Sequence, residues 1–385
     1  MTELEYTEKG WRKVLDTKRH HREQNWDYRG RGIYHVTLTT CERYPLFGQL
    51  AGKNPEEATI ELNDFGKKVL SIMQNLPLFY VPKGYAIKIL ATQIMPDHIH
   101  MILQVLEPLP KSIGHVIRGF KTTCTMMFKR MYVTGDKNVA EVHDEGSKND
   151  SIVQSDADYS IVHFARIFAS SNSIWEAIPS RYHERILHRE GQLRSMIDYV
   201  HDNPRRLWLK RANPDLFRIK QDKRIAGTPC LVLGNIFLAD IPLKALLQCS
   251  RRMTQAEIET RKAECLREAE NGMVFVSGAI SEGEKQICRA LRQAGFPLII
   301  LLTEGFPAPD SPHYKYYKPQ GVYFEACAAG KLLLVQPDAS VLERPDIIER
   351  AEAKIGAIPH DSRRYRFVAM NLIAEDIANH TAISM

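Results

Sequence analysis

The chain has 385 residues, of which 44% are hydrophobic, 25% charged and 9% aromatic, the proportions of a globular protein long enough for two or three ordinary domains. That balance excludes a wholly disordered, collagenous or coiled-coil protein, and no apolar run approaches the roughly 18 to 20 residues that span a bilayer. The net charge of +6 is uneven: residues 1–225 carry 34 Lys and Arg against 27 Asp and Glu, a net of +7, and the remainder a net of −1.

In chain order, residues 1–30 are polar, lack the apolar core of a secretory leader, and read as an arm on a cytoplasmic protein. GIYHVTLTT at 32–40 alternates and is rich in β-branched and aromatic residues, which predicts a strand. A helix is predicted over about 58–75, where Ile60, Leu62, Phe65, Val69, Leu70 and Met73 form one stripe. AIKILATQIM at 86–95 and HIHMILQV at 98–105 read as two strands joined by a turn at Pro96 and Asp97, and 111–132 as an amphipathic helix capped by Ser112. The polar stretch 134–160 reads as a mobile insertion, 181–188 as a fourth strand, and 190–202 as a short helix stopped by Pro204. This β-α-β-β-α-β order followed by a helix predicts an α+β, ferredoxin-like domain over 31–225.

Past residue 225 the rhythm changes. A helix over 254–272 ends at Gly272, strands at 273–277, 297–303 and 331–337 alternate with helices, and the tail from 345 to 385 is helical. Short apolar strands between helices predict a parallel, Rossmann-like α/β domain over 226–385. The seven cysteines are odd in number and scattered, so they read as isolated thiols.

The sharpest chemical signal is MPDHIH at 95–100. Residues two apart on a strand face one side, so His98 and His100 can present two imidazoles to one ion. Alone, such a pair fits a structural role as well. In MIDYVHDNP at 196–204, Tyr199 and Asn203 are four apart and share a face if the segment is helical. Alone, these fit a packed tyrosine and an Asn-Pro helix stop. Eight basic residues lie within 201–225, as suits a phosphate backbone or, equally, a solvated linker.

Taken together, YHVTLTT, MPDHIH, GFK at 119–121, IWEAIPSRYHERILHREGQL at 174–193 and DYVHDNP resemble the REP-associated tyrosine transposases, members of the single-tyrosine HUH endonucleases, over about 32–210. The resemblance implies cutting and joining of single-stranded or hairpin DNA by a monomer or homodimer. His98, His100 and Asn203 would hold Mg²⁺ or Mn²⁺, and Tyr199 would attack the scissile phosphate to give a 5′-phosphotyrosine. The chemistry is coherent, because a free tyrosine has a pKa of about 10 and needs a nearby cation to act as a nucleophile at neutral pH. A covalent intermediate also keeps the phosphodiester energy for rejoining. Arg118, Lys121, Arg205, Arg206, Lys210 and Arg211 are candidate phosphate contacts, and Arg181, Tyr182 and His183 are candidates to assist. Two departures stand out: Asp97 where many relatives have Asn, and the long segment between Tyr132 and Trp175.

Residues 233–337 resemble the Rossmann-like SLOG domain of the DNA-processing protein A family. That likeness implies phosphate of DNA or of a nucleotide near Ser250, Arg251, Thr254, Ser277, Gly278 and Gly283, where strand ends meet helix N-termini. Cys249 replaces the family's glycine, and Gly283, Glu284, Lys285 replace its Gly-Ile-Asp. Rival readings are a domesticated single-stranded DNA-binding or recombination accessory protein, and a nucleotide sensor acting through the second domain.

Overall fold

The computed structural model describes residues 4–7, 10–13, 26–133, 173–175, 183–188, 191–306 and 322–379. The predicted insertion at 134–160 lies outside them. Contacts divide the chain into two units, Met1–Trp208 and Leu209–Met385.

In the first unit, β1 (Leu4–Thr7) and β2 (Gly10–Lys13) form an antiparallel hairpin within the predicted arm. β3 (Gly32–Thr39) follows, then β4 (Gly48–Ala51) and β5 (Thr59–Leu62), which pair with each other. The predicted helix over 58–75 is thus part strand. Helix α1 (Asp64–Gln74) begins only where the Asn63 side chain accepts the Gly66 amide, a cap that the apolar stripe alone does not reveal. There follow α2 (Leu76–Tyr80), β6 (Ile87–Ile94), β7 (His98–Val105), α3 (Ile113–Tyr132), β8 (His183–Ile186), α4 (Gln192–His201) and α5 (Asn203–Ala212). Ser112 precedes α3 as expected but makes no capping bond with its side chain.

Four of these strands form an antiparallel sheet in the order β6-β7-β3-β8. Its alternation sorts the residues by face. Tyr34, Val36, Leu38, Ile99, Met101 and Leu103 enter a core with Phe65, Val69 and Met73 of α1 and Ile117, Phe120 and Phe128 of α3. On the other face, Ala91 and Ile102 pack with Met196 and Val200 of α4.

The second unit opens with β9 (Lys220–Ile225) and β10 (Thr228–Gly234), an antiparallel pair. β9 therefore belongs to the second sheet. The boundary expected near residue 225 lies instead after Trp208, because strand pairing outweighs the change in composition. β11 (Lys244–Leu246), α6 (Gln255–Glu270), β12 (Val274–Ser277), α7 (Glu282–Gln293), β13 (Leu298–Leu301), α8 (Val322–Ala328) and β14 (Leu332–Pro337) come next. Three helices end the described chain: α9 (Ala339–Leu342), α10 (Pro345–Ile355) and α11 (Arg363–Asn379).

The sheet order is β11-β12-β13-β14-β10-β9, with the first four strands parallel. Phe275, Leu298 and Ile300 bury one face with Cys265 of α6 and Ile287 and Leu291 of α7, while Val276, Ile299 and Leu333 bury the other with Ala369 and Ile373 of α11. Among the described residues the parallel strands run in sequence order, without the order reversal that opens a ligand crevice in doubly wound folds. Among the described residues, no helix is long and apolar enough to cross a membrane, and the seven cysteines form no disulfide.

Helix α6 has a full capping box: the Thr254 hydroxyl accepts the Glu257 amide, and the Glu257 carboxylate accepts the Thr254 amide at 2.7 Å. Thr254→Ala is expected to cost about 1 kcal/mol, visible as a fall of roughly 2–4 °C in the melting temperature of this unit by calorimetry.

Candidate active site

Because β3 and β7 are in register, with Thr37 opposite His100 and Thr39 opposite His98, the residues that do not enter the core emerge together. Among these are His35, Thr37, His98 and His100. Packing of α4 on the same face brings the Tyr199 ring to 5.8 Å from that of His100 and 6.2 Å from that of His35, edge-on to both.

The Nε2 atoms of His98 and His100 lie 3.2 Å apart. Two nitrogens each about 2.0–2.1 Å from one ion stand roughly 2.9–3.4 Å apart at angles of about 90–110°, so this pair fits a single divalent cation. The outward nitrogens are engaged. His98 Nδ1 lies 2.5 Å from Asp97 Oδ1, and Arg43 donates to Asp97 Oδ2 at 3.2 Å. Burial raises the Asp97 carboxyl, but the bond and charge of His98, with Arg43, outweigh it and hold the group well below the usual carboxylate range. Arg43 arrives from a strained turn in which Glu42 and Arg43 adopt left-handed φ values of 50° and 56°.

On the second ring, His100 Nδ1 lies 3.1 Å from His35 Nε2 and 3.1 Å from Thr37 Oγ1. His35 was not among the residues singled out in the sequence, although the alternation of YHVTLTT places it on the histidine face. Burial, assisted by Arg185, lowers its imidazole to about 4, so the ring is neutral at neutral pH.

Burial raises the Tyr199 phenol above its ordinary value, opposed by the charges of Arg206 and Arg43. The Arg206 guanidinium lies 5.5 Å from the tyrosine ring and 3.8 Å from Asp202. The helix expected to carry Tyr199 and Asn203 is interrupted between them. Tyr199 and Asn203 do not share one helix, because α4 ends at His201 and α5 starts at Asn203. Pro204 opens the second helix rather than stopping the first, at a position where its missing N–H costs nothing. Asn203 Nδ2 donates to the carbonyls of Tyr199 at 2.8 Å and Val200 at 3.2 Å, which braces the break; neither bond uses Oδ1, the atom a cation would take. Among the described residues, no three His, Cys, Asp or Glu side chains are grouped to hold a metal.

The other candidates are spread more widely. Arg205 donates to Asp202 at 3.0 Å beside Arg206. Lys210 and Arg211 fall past the division between units, and Lys210 lies 5.6 Å from the Phe324 ring. Arg118 and Lys121 are on α3, which covers the sheet face opposite the histidines, so the fold does not bring them to the site. The Lys121 carbonyl accepts the Trp175 indole at 3.0 Å, and Arg118 lines a cavity of about 600 Å³ with Phe79, Tyr80 and His115. Arg181 and Tyr182 lie outside the described residues, and His183 pairs with Thr37 through the backbone.

In the second unit, each predicted phosphate position has a local contact. Ser250 accepts the Arg252 amide, Arg251 lies 5.6 Å from the Phe367 ring, Thr254 caps α6, and buried Ser277 accepts the Ala279 amide. Gly278 lies against Ile280, and a Cβ on Gly283 would meet Cys249 Cβ at 3.1 Å and Ile258 Cγ1 at 3.2 Å, so this glycine permits close packing of α7. Glu284 is 2% exposed, and its carboxylate accepts the amides of Cys249 at 3.1 Å, Ile280 at 2.7 Å and Ser281 at 3.4 Å. The three amides belong to the loops that carry the predicted phosphate positions, though to none of the residues named for that role.

No family model matches the chain. It is 28% identical over 130 residues to an uncharacterized protein of Haemophilus influenzae, an alignment covering 28% of this chain and 67% of that protein. Among solved structures, a REP-associated tyrosine transposase bound to a REP hairpin is 14% identical over 48% of this chain and 72% of its own, with a TM-score of 0.23. A candidate transposase from Deinococcus radiodurans R1 is also 14% identical, over 48% of this chain and 96% of its own, with a TM-score of 0.21. Similarity at that level leaves function to be argued from the side chains themselves.

Proposed function

We propose that the first unit is a metal-dependent enzyme that nicks and joins single-stranded hairpin DNA through Tyr199, on a ferredoxin-like sheet, joined to a Rossmann-like second unit. The observation that carries the reading is the convergence of His98 Nε2 and His100 Nε2, 3.2 Å apart, beside the Tyr199 ring. The sheet order β6-β7-β3-β8 supports the fold assignment, as do the four parallel strands flanked by helices on both faces for the second unit.

In this reading His98, His100 and Asn203 Oδ1 would hold Mg²⁺ or Mn²⁺, which would supply Lewis-acid stabilisation of the charge that develops on the phosphate. Tyr199 Oη forms a bond to phosphorus while the bond from phosphorus to the 3′ oxygen breaks. The proton lost by the phenol is balanced by one gained at the leaving 3′ oxygen, so the products are a 5′-phosphotyrosine and a free 3′-OH. Arg206, over the tyrosine ring, favours the phenolate that burial opposes.

The test is a denaturing gel of the full chain with labelled single-stranded hairpins from the DNA flanking its gene, in Mn²⁺ or Mg²⁺. A covalent adduct that needs the cation is expected, and His98→Ala or His100→Ala should slow its formation about 10³-fold, the several kcal/mol a catalytic cation supplies. Binding without adduct in either ion would instead make the protein a DNA-binding module.

A further inference from the structure

His35 belongs to the strand beside the histidine pair but does not face the point where the pair converges. Its Nε2 lies 3.1 Å from Nδ1 of His100, whereas the other nitrogen of that ring, Nε2, is the one 3.2 Å from His98. A neutral imidazole carries one proton, and it ligates a cation only through the nitrogen that lacks it. What stands at His100 Nδ1 therefore decides whether Nε2 is available. An acceptor draws the proton to Nδ1 and leaves a lone pair on Nε2; a donor does the reverse.

For His98 the choice is made by Asp97, because a carboxylate can only accept. Two contacts of His100 Nδ1 are His35 Nε2 and Thr37 Oγ1, each at 3.1 Å. A hydroxyl both donates and accepts, so Thr37 imposes no choice. His35 imposes one when its own proton is on Nδ1, since Nε2 then offers only a lone pair. Its place is set by the backbone: β3 pairs with β7 in unbroken register from Gly32 to Thr39, and the His35 and His100 ring planes lie within 25° of each other with centroids 5.1 Å apart.

We infer that His35 is a positioning residue that holds His100 as the Nδ1–H tautomer, so that the Nε2 lone pairs of His98 and His100 converge on one divalent cation. The inference rests on the metal-site reading above and adds to it the group that prepares the second ligand. Partners of this kind change metal affinity by roughly 10- to 100-fold when removed.

The experiment is calorimetric titration of the full chain with Mn²⁺, alongside thermal melting without added metal. His35→Phe keeps a ring but no acceptor and should weaken Mn²⁺ binding about 10- to 100-fold. His35→Gln, whose carbonyl oxygen can accept from His100 Nδ1–H, should recover most of that loss. In ¹⁵N-labelled protein saturated with Mg²⁺, His100 should carry its proton on Nδ1 in wild type and in the glutamine variant. Should the phenylalanine protein fail to fold, His35→Met, close in length to glutamine but without a strong acceptor, makes the same comparison.

Equal Mn²⁺ affinity in wild type and His35→Phe overturns the inference and leaves the metal site standing. Equal loss in the phenylalanine and glutamine variants also overturns it, since His35 then acts only through packing. If wild type binds no Mn²⁺, or binds it undiminished after His98→Ala, the metal-site reading itself fails, a result the wild-type and His98 titrations register independently of His35.

Discussion

Tyr199→Phe should abolish the covalent adduct while hairpin binding, Mn²⁺ affinity and melting temperature stay close to wild type. Phenylalanine keeps the edge-on contacts of the ring with His35 and His100, its packing in the cluster with Met196 and Val200, and the Arg206 guanidinium above it. What disappears is one oxygen, and with it the only atom in the proposed step that can bond to phosphorus. The stability change should remain within about 1 kcal/mol, the scale of one partly buried hydroxyl. A denaturing gel reads the adduct, and filter binding reads the retained affinity. Adduct of wild-type yield in the phenylalanine protein would transfer the nucleophile to another residue. Cleavage that persists without adduct would instead mean that water attacks.

Glu284→Ala should unfold the second unit early. The buried carboxylate accepts three backbone amides, from Cys249, Ile280 and Ser281, and so joins the loop after β11 to the loop after β12 and the start of α7. Alanine leaves these donors facing a space with no acceptor. At about 1–3 kcal/mol for each orphaned buried donor, partly relieved by entering water, a loss of roughly 3 kcal/mol is expected. In a unit of this size that corresponds to a fall of about 6–12 °C in melting temperature by calorimetry. Glu284→Gln keeps acceptor oxygen but gives up the charge, and should fall between the two. Unchanged melting of the alanine protein would mean that the amides find other partners, and that the carboxylate is not what closes this loop.

The legible part of the molecule follows from short-range patterns. The strands at 32–39, 87–94 and 98–105 and the helices over 113–132 and 255–270 were readable from local patterns of apolar and polar residues, while the Thr254 cap emerged only in the fold. Where patterns of different length compete, reading failed. Ile60 and Leu62 fit the helical stripe of α1, yet they lie in β5, because a cap at Asn63 and pairing with β4 decide the matter. Basic character continued smoothly to residue 225, but β9 joins the second sheet through hydrogen bonds that composition does not encode.

For the site, the period of two along β7 was enough to put His98 and His100 on one side, since side chains two apart on a regular strand face the same way. The sequence by itself therefore determined which residues share a face and which spacings could serve a cation. Tertiary structure alone decided which faces meet. Register between β3 and β7 brought His35 to His100 across 65 residues, and packing of α4 on that face delivered Tyr199. Packing of α3 on the opposite face left Arg118 and Lys121 behind the sheet, and a buried Glu284 took up three loop amides of the second unit. Alternation and capping act within a few residues, whereas register, packing and the satisfaction of buried amides join segments far apart in the chain, and only the folded chain expresses them.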